Sequence, residues 1–436
     1  MLRSSSPFAV WKKGDGECLA LAGEPGENCD GHPFEPVGSA LRQAVPFLES
    51  LPNATMLLWD MQGTYQTLLH HHNAPLPQLK AFWQAVREDN RPKIFIGPSR
   101  LYGAVDLLRA AIWIEIPELN AFSQYASIRD NLLANCAPDC LVVLCAGMPA
   151  KVWMADVLRR FPQATCIDAG SSFDPLLFTT TRTGQIYQWD LEPLYSEFAP
   201  KVNAIVFTMD RAMQLDAHLR SMKKCAPHLY PPTVMVRATY PESAIAYDKL
   251  KADFADVTWT GQADFKKDLL RQIASERPLT ALLCDDSVFY RRLPQWLSVP
   301  PHTCYSMRFE KQTGYHITPS CTGLGGYCVE GNVHRTQEYR KAIRSVEFTN
   351  PSKLEEALNW SGKAAPVRER FGFERCLVSI PHNKVQTDFP DNPSMGGSAV
   401  ELNDRYLRGE RIDLDAMDFS NVVDAHQFIQ YQFKAA

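Results

Sequence analysis

The sequence predicts an α/β protein built as two modules, each a mostly parallel sheet with helices on both faces. Three observations carry this. Short apolar runs bounded by glycine or proline alternate with stretches of amphipathic, helix-like periodicity. The alternation breaks at a polar, proline-containing stretch, "DLEPLYSEFAPKVN" (190–203), and then restarts with a fresh apolar run. The chain has 436 residues, which suits two domains better than one.

The first expected strand is the apolar stretch before "KKGDGE". "ATMLLWD" (54–60), "PKIFIGP" (92–98), "AIWIEIP" (111–117), "CLVVLCAG" (140–147) and "ATCIDAG" (164–170) follow as buried strands. "LPQLKAFWQAVRED" and "PAKVWMADVLRRF" are helices between them. After the break, "VNAIVFTMD", "PTVMVRATY", "DVTWTG" and "LTALLCDDSVF" read as strands. They are separated by the helices "AMQLDAHLRSMKKC", "SAIAYDKLKADF" and "ADFKKDLLRQIASE". Beyond about residue 300 the pattern is more irregular, with helices at "NPSKLEEALNW" and "SAVELNDRYL". The expected modules are residues 1–195 and 198–436.

Composition narrows the class. Hydrophobic residues make up 45% and charged residues 22%, ordinary for a soluble globular protein. A net charge of -4 gives no electrostatic ground for a nucleic-acid partner. The start has no apolar core long enough for a signal peptide, and no run of about 18 apolar residues implies a transmembrane segment. Peripheral association with a membrane stays open. The 12 cysteines are scattered, often in apolar runs, and form no C-x-x-C pair. Buried free thiols in a reducing, cytoplasmic compartment are the expectation.

Acids at strand ends are the features that carry chemistry. In "KKGDGE", Asp15 and Glu17 stand two residues apart with Gly14 and Gly16 beside them. In extended chain such residues point to one side, and two carboxylates so placed can clamp a hard divalent cation that also takes phosphate oxygens. The glycines let a diphosphate approach the backbone. The same four residues also fit a solvated turn, since Asp-Gly is a common turn dipeptide. Asp168 and Ser171 in "CIDAGSSFDP" could serve a ligand or simply cap a helix.

"KKGDGE" is followed in order by "GENCDGHPFEPVGSALRQAV", "IGPSRL", "IEIPELNAF", "LVVLCAGMPAKVWMADVLRRF" and "CIDAGSSFDP". Over residues 8–190 this order resembles the GT-D-type glycosyltransferases, a bacterial group with a Rossmann-like sheet and an Asp-x-Glu metal motif near the start. The resemblance implies that Asp15 and Glu17 help hold Mn²⁺ or Mg²⁺ against the diphosphate of a nucleotide-sugar. It also implies that Gly97, Pro98, Ser99, Asp168, Gly170 and Ser171 face the same cleft. The physics of open α/β sheets agrees, because ligands collect at the carboxyl ends of strands.

The second half has its own acid pair. "LTALLCDDSVF" is an apolar strand that ends in Asp285 and Asp286. Together with "NAIVFTMDRAMQLDAHLRSMKKC" it resembles the GT-A-type glycosyltransferases over residues 201–430. Thr208, Asp210 and Arg211 hold the loop positions, and Leu215, Leu219 and Ser221 the helix. Asp285-Asp286-Ser287 departs from the full Asp-x-Asp of that group, so the expectation is that one metal ligand comes from elsewhere. His426 in "VVDAHQF" is the candidate, although it reads equally as a helix-face histidine. Asn383 and Gln386 lie in a polar loop and read as nucleotide or acceptor contacts, or as ordinary loop polarity.

The combined expectation is a pair of Rossmann-like α/β modules forming a metal-dependent glycosyltransferase. Sugar would move from a nucleotide-sugar donor to a surface glycan or glycoprotein acceptor. Three alternatives stay open: both halves act, only one half acts, or the chain binds nucleotide-sugar or carbohydrate without turnover. "HHH" (70–72) reads as the exposed end of a helix, because three adjacent histidines cannot all face one ion. "TGLGGY" (322–327) neither follows a clear strand nor opens a helix, so it is no phosphate cradle.

Overall fold

A computed structural model describes residues 7–27, 33–58, 76–173, 196–273, 276–297, 299–310, 327–365, 367–372, 375–383, 385, 394–395 and 397–435. The "HHH" tract, residues 322–326 of the glycine-rich stretch and Gln386 lie outside these residues. The protein is α/β and divides into two Rossmann-like units, each with a mostly parallel sheet. One comprises Met1–Ala199 with Trp296–Ser298, the other Pro200–Gln295 with Val299–Ala436.

The first unit contains strands β1 (Ala9–Lys13), β2 (Ala54–Leu58), β3 (Lys93–Pro98), β4 (Ile112–Ile116), β5 (Leu141–Leu144) and β6 (Thr165–Asp168). They form one six-stranded sheet in the order β2-β1-β6-β5-β3-β4, with every pairing parallel. β3 and β5 are buried along their whole length, which is why both read as continuous apolar runs rather than as alternating ones. Two layers of side chains cover the faces. Val37, Leu41 and Leu48 of the helix Phe34–Ser50 pack with Trp153 and Val157 of the helix Pro149–Arg160 on one side. Trp83, Phe95 and Phe173 pack on the other.

The second unit contains β7 (Val202–Met209), β8 (Thr233–Arg237), β9 (Thr258–Gly261), β10 (Leu279–Cys284), β11 (Ser287–Phe289), β12 (Thr303–Glu310), β13 (Asn332–Arg335), β14 (Arg368–Gly372) and β15 (Leu377–Ser379). Its seven-stranded sheet runs β14-β12-β13-β10-β7-β8-β9. β13 is antiparallel to both neighbours, and the other pairings are parallel. The stretch beyond residue 300 is therefore less irregular than its sequence suggests, since β12, β13 and β14 complete this sheet. β11 and β15 pair separately as a short antiparallel ribbon.

The order β9-β8-β7-β10 sets the position of the candidate site. The chain winds outward from β7 to β8 and β9, then returns to place β10 on the opposite side of β7. Connections leaving β7 and β10 thus diverge, which opens a crevice at their carboxyl ends.

Trp296 lies far along the sequence from the first unit yet belongs to it. It is buried with Phe8, Trp83, Phe95 and Phe173. Trp296→Ala should cost the first unit about 3–5 kcal/mol. Hydrogen exchange should then show lost protection in β3 and β5, with β7 and β10 unchanged.

Candidate functional site

In the first unit the chain after β1 does not stay extended. Asp15–Ala22 is an α-helix whose cap is Gly14, and the Gly14 N–H donates to a Glu17 carboxylate oxygen at 3.1 Å. That contact is half of a capping box and satisfies a backbone donor at the helix start. The stretch is helical where an extended chain is expected, and the alternation that turns residues two apart to one side belongs to strands alone. The extended geometry is corrected on that ground.

Glu17 meets Lys151 instead. The Lys151 ammonium, carried by the helix after β5, lies 2.5 Å from Glu17 and 2.9 Å from Asp168 at the end of β6. Asp168 also accepts the Lys12 backbone N–H at 3.2 Å, and the Lys12 ammonium donates to the Ala169 carbonyl at 3.0 Å. Burial opposes the charge on Glu17, but Lys151 and the Gly14 N–H outweigh it and hold the carboxyl below its ordinary value. Burial likewise opposes the Lys151 charge, and Asp168 and Glu17 overcome it, raising the ammonium above its usual range. Gly170 is in the left-handed region at φ 51°, and a Cβ there would stand 2.7 Å from the Lys12 nitrogen.

Gly97 and Ser99 sit at the same carboxyl edge, at the end of β3, which β5 separates from β6. Ser171 lies in the turn that follows Gly170. A divalent cation does not fit the Glu17–Asp168 pair as arranged, because an ammonium already holds the point both carboxylates share.

In the second unit the acids are bound to an arginine. Asp285 and Asp286 follow β10 directly, and Arg211 follows β7 after Asp210. One Arg211 nitrogen, Nη1, donates to Asp285 at 3.1 Å and to Asp286 at 2.9 Å. Its Nε donates to Asn383 Oδ1 at 2.8 Å, and Nη2 donates to the Asn383 carbonyl. The Arg211 backbone N–H donates to the Tyr247 hydroxyl at 3.0 Å, and that hydroxyl also meets Thr208 Oγ1 at 2.6 Å. Asp210 has φ 57° and is held there by the Thr239 N–H at 2.8 Å and, through its carbonyl, by Asn403 at 3.0 Å. Leu215, Leu219 and Ser221 are buried on the helix Ala212–Cys225, and the Ser221 hydroxyl accepts the Phe289 N–H of β11 at 3.0 Å.

The two aspartates differ. Asp285 is tied through both oxygens, to Arg211 and to the Met209 N–H at 3.3 Å. Asp286 keeps one buried oxygen, Oδ1, with no hydrogen-bond partner among the described residues. The Asn383 amide nitrogen and the Gln214 amide oxygen are likewise unpartnered. Burial is the largest influence on both acids, and each rises above its ordinary value despite Arg211, Asp285 to about 6.

His426 belongs to an adjoining cluster. Its Nδ1 lies 3.2 Å from Arg308 Nη2, and its Nε2 lies 3.2 Å from Glu330 Oε2. Arginine only donates, so Nδ1 accepts and Nε2 carries the proton toward Glu330. As a metal ligand His426 would have to give up one of these contacts. Glu330 also pairs with Arg308 at 2.9 Å and accepts from Ser379 at 3.1 Å. Burial opposes its charge, yet Arg308 and His426 hold the carboxyl well below the usual range.

Among the described residues, no group of three or more His, Cys, Asp or Glu side chains is arranged to hold a metal ion. Lys151, Arg308 and Glu330 were not anticipated from the sequence. Lys151 left one signal, a lysine inside the apolar run "MPAKVWM". No family model matches this chain, and no curated protein matches it.

The raised Asp285 value has a definite pH consequence. A carboxyl that holds its proton more tightly when folded contributes stability that is full below about pH 4 and lost as pH rises through about 6. Asp285→Asn should remove this fall. Denaturant titrations of both proteins from pH 4 to pH 7 check it, and the difference between them should widen in the variant's favour as pH rises.

Proposed function

We propose that the chain is a nucleotide-sugar glycosyltransferase whose chemistry takes place in the second unit. The observation that carries this reading is the acid pair Asp285–Asp286 at the crevice between β7 and β10. The resemblance of "VNAIVFTMD" and "LTALLCDDSVF" to the GT-A-type group supports it. The cysteines among the described residues are free thiols, and no helix among them is long and apolar enough to cross a membrane. The free thiols suit a reducing, cytoplasmic setting, and the acceptor proposed is a surface glycan or glycoprotein.

The aspartates take separate roles. Asp285, fixed through both oxygens, positions the β7 and β10 loops. Asp286, whose Oδ1 is buried without a partner among the described residues, is the acid assigned to the ligand. Carboxylate is the donor type that Mn²⁺ or Mg²⁺ takes, and such ions commonly use one or two carboxylates plus phosphate oxygens from the substrate. Asp286 would hold the ion on the protein side, and the ion would neutralise charge on the departing nucleoside diphosphate. Thr208, Arg211 and Asn383 shape the nucleotide-facing wall. The unpartnered Asn383 amide donor suits an acceptor oxygen on the ligand.

The first unit supports a second, separate binding role. Gly14, Gly16, Gly97, Ser99, Asp168 and Ser171 lie at the carboxyl edge of its sheet, where a nucleotide-sugar would settle. A reading with binding but no turnover draws on one fact, that Arg211 already neutralises much of the acid pair.

Turnover separates these readings. Screening nucleotide-sugars for Mn²⁺-dependent donor hydrolysis should find at least one substrate. With it, Asp286→Asn should lower kcat by about a hundredfold or more with a smaller change in KM. Unchanged kcat in that variant would make the second unit a binding module.

A further inference from the structure

We propose that in the first unit the Lys151 ammonium is a built-in cation that holds the place the Asp-x-Glu resemblance gives to Mn²⁺ or Mg²⁺, so that this unit works without a bound metal. The inference does not depend on the transferase reading, since it concerns which cation neutralises Glu17 and Asp168.

Geometry carries the argument. Lys151 Nζ lies 2.5 Å from Glu17 Oε1 and 2.9 Å from Asp168 Oδ2. A divalent ion bonded to both oxygens would need about 2.0–2.6 Å to each, which is the volume the ammonium fills. The ammonium is anchored a third time, donating to the Gly147 carbonyl at 3.2 Å in the bend just before its own helix. Its position is fixed by the fold as well, because Lys151 and the flanking Ala150, Val152 and Trp153 are all buried.

Charge and the second carboxylate agree. Glu17 and Asp168 share the Lys151 ammonium, and the Lys12 ammonium stands nearby on the Ala169 carbonyl, so positive charge is already in place without an added ion. A divalent cation would bring two further positive charges against a lysine that cannot retreat to solvent. Asp168 keeps one oxygen, Oδ1, without a partner among the described residues, but its other oxygen is shared by Lys151 and the Lys12 N–H. The backbone over Asp15–Ala22 is helical, so the extended spacing that would present Asp-x-Glu as a clamp is not formed there.

Mn²⁺ binding to the full chain, with no nucleotide-sugar present, tests this. Electron paramagnetic resonance of free Mn²⁺ counts bound ions, and thermal unfolding with and without Mn²⁺ reports linked stabilisation. Glu17→Gln should bind as many ions per chain as the unmodified protein. Lys151→Met, which keeps length but removes the charge, should bind one more and gain several degrees of unfolding temperature on adding Mn²⁺. Lys151→Arg should gain none. The proposal is overturned if Glu17→Gln binds one ion fewer, or if folded Lys151→Met gains none. Should Lys151→Met fail to fold, the count for Glu17→Gln against the unmodified protein decides alone. Because no donor is turned over, a chain without transferase activity gives the same answer.

Discussion

A carboxylate at the carboxyl end of a buried strand must have a cation beside it, and the arrangement at both sheet edges follows from that need. Removing an ionised carboxylate from water costs several kcal/mol even after relaxation, and an unpaired one would be protonated or would unfold its surroundings. In the second unit Arg211 meets the need by binding Asp285 and Asp286 together. That one guanidinium ties the end of β7 to the end of β10 and draws in Asn383 from the segment after β15. Lys151 does the equivalent work in the first unit, linking the helix after β1, the helix after β5 and the end of β6.

The two solutions leave different chemistry behind. Lys151 sits between its acids and fills their shared space. Arg211 approaches its pair through a single nitrogen, which leaves Asp286 Oδ1 unpartnered. A planar guanidinium can bind several oxygens from one side, whereas a lysine is a compact point charge. An open oxygen does not by itself distinguish the units, since Asp168 Oδ1 is unpartnered too among the described residues; the second unit is assigned the reacting edge on its adjacent acid pair at the β7–β10 crevice. In the neighbouring Glu330–Arg308–His426 cluster, a further acid near Asp286 carries its own arginine.

The fold was legible where burial writes directly into sequence. β3, β5, β7 and β10 are buried along nearly their whole length and read as mostly apolar runs, and the helix Ala212–Cys225 matches its predicted span. β12 and β13 were missed because they carry Arg308, Asn332 and His334 inward, polar residues whose partners come from distant segments. The helix at Asp15 was hidden by Asp-Gly, a pair that signals a turn locally but here opens a helix through the Glu17 cap. Site residues on strand ends, such as Asp168, Asp285 and Asp286, could be found from sequence because an acid after an apolar run is conspicuous. Their cations could not, since Lys151 lies 134 positions from Glu17 and Arg211 lies 74 from Asp285.

Manganese anomalous scattering from crystals of the full chain grown with a nucleoside diphosphate and Mn²⁺ tests the central claim most directly. The account predicts a peak beside the Asp286 carboxylate, with the diphosphate at the carboxyl ends of β7 and β10, and no peak between Glu17 and Asp168. A peak between Glu17 and Asp168, with none at Asp286, would contradict it.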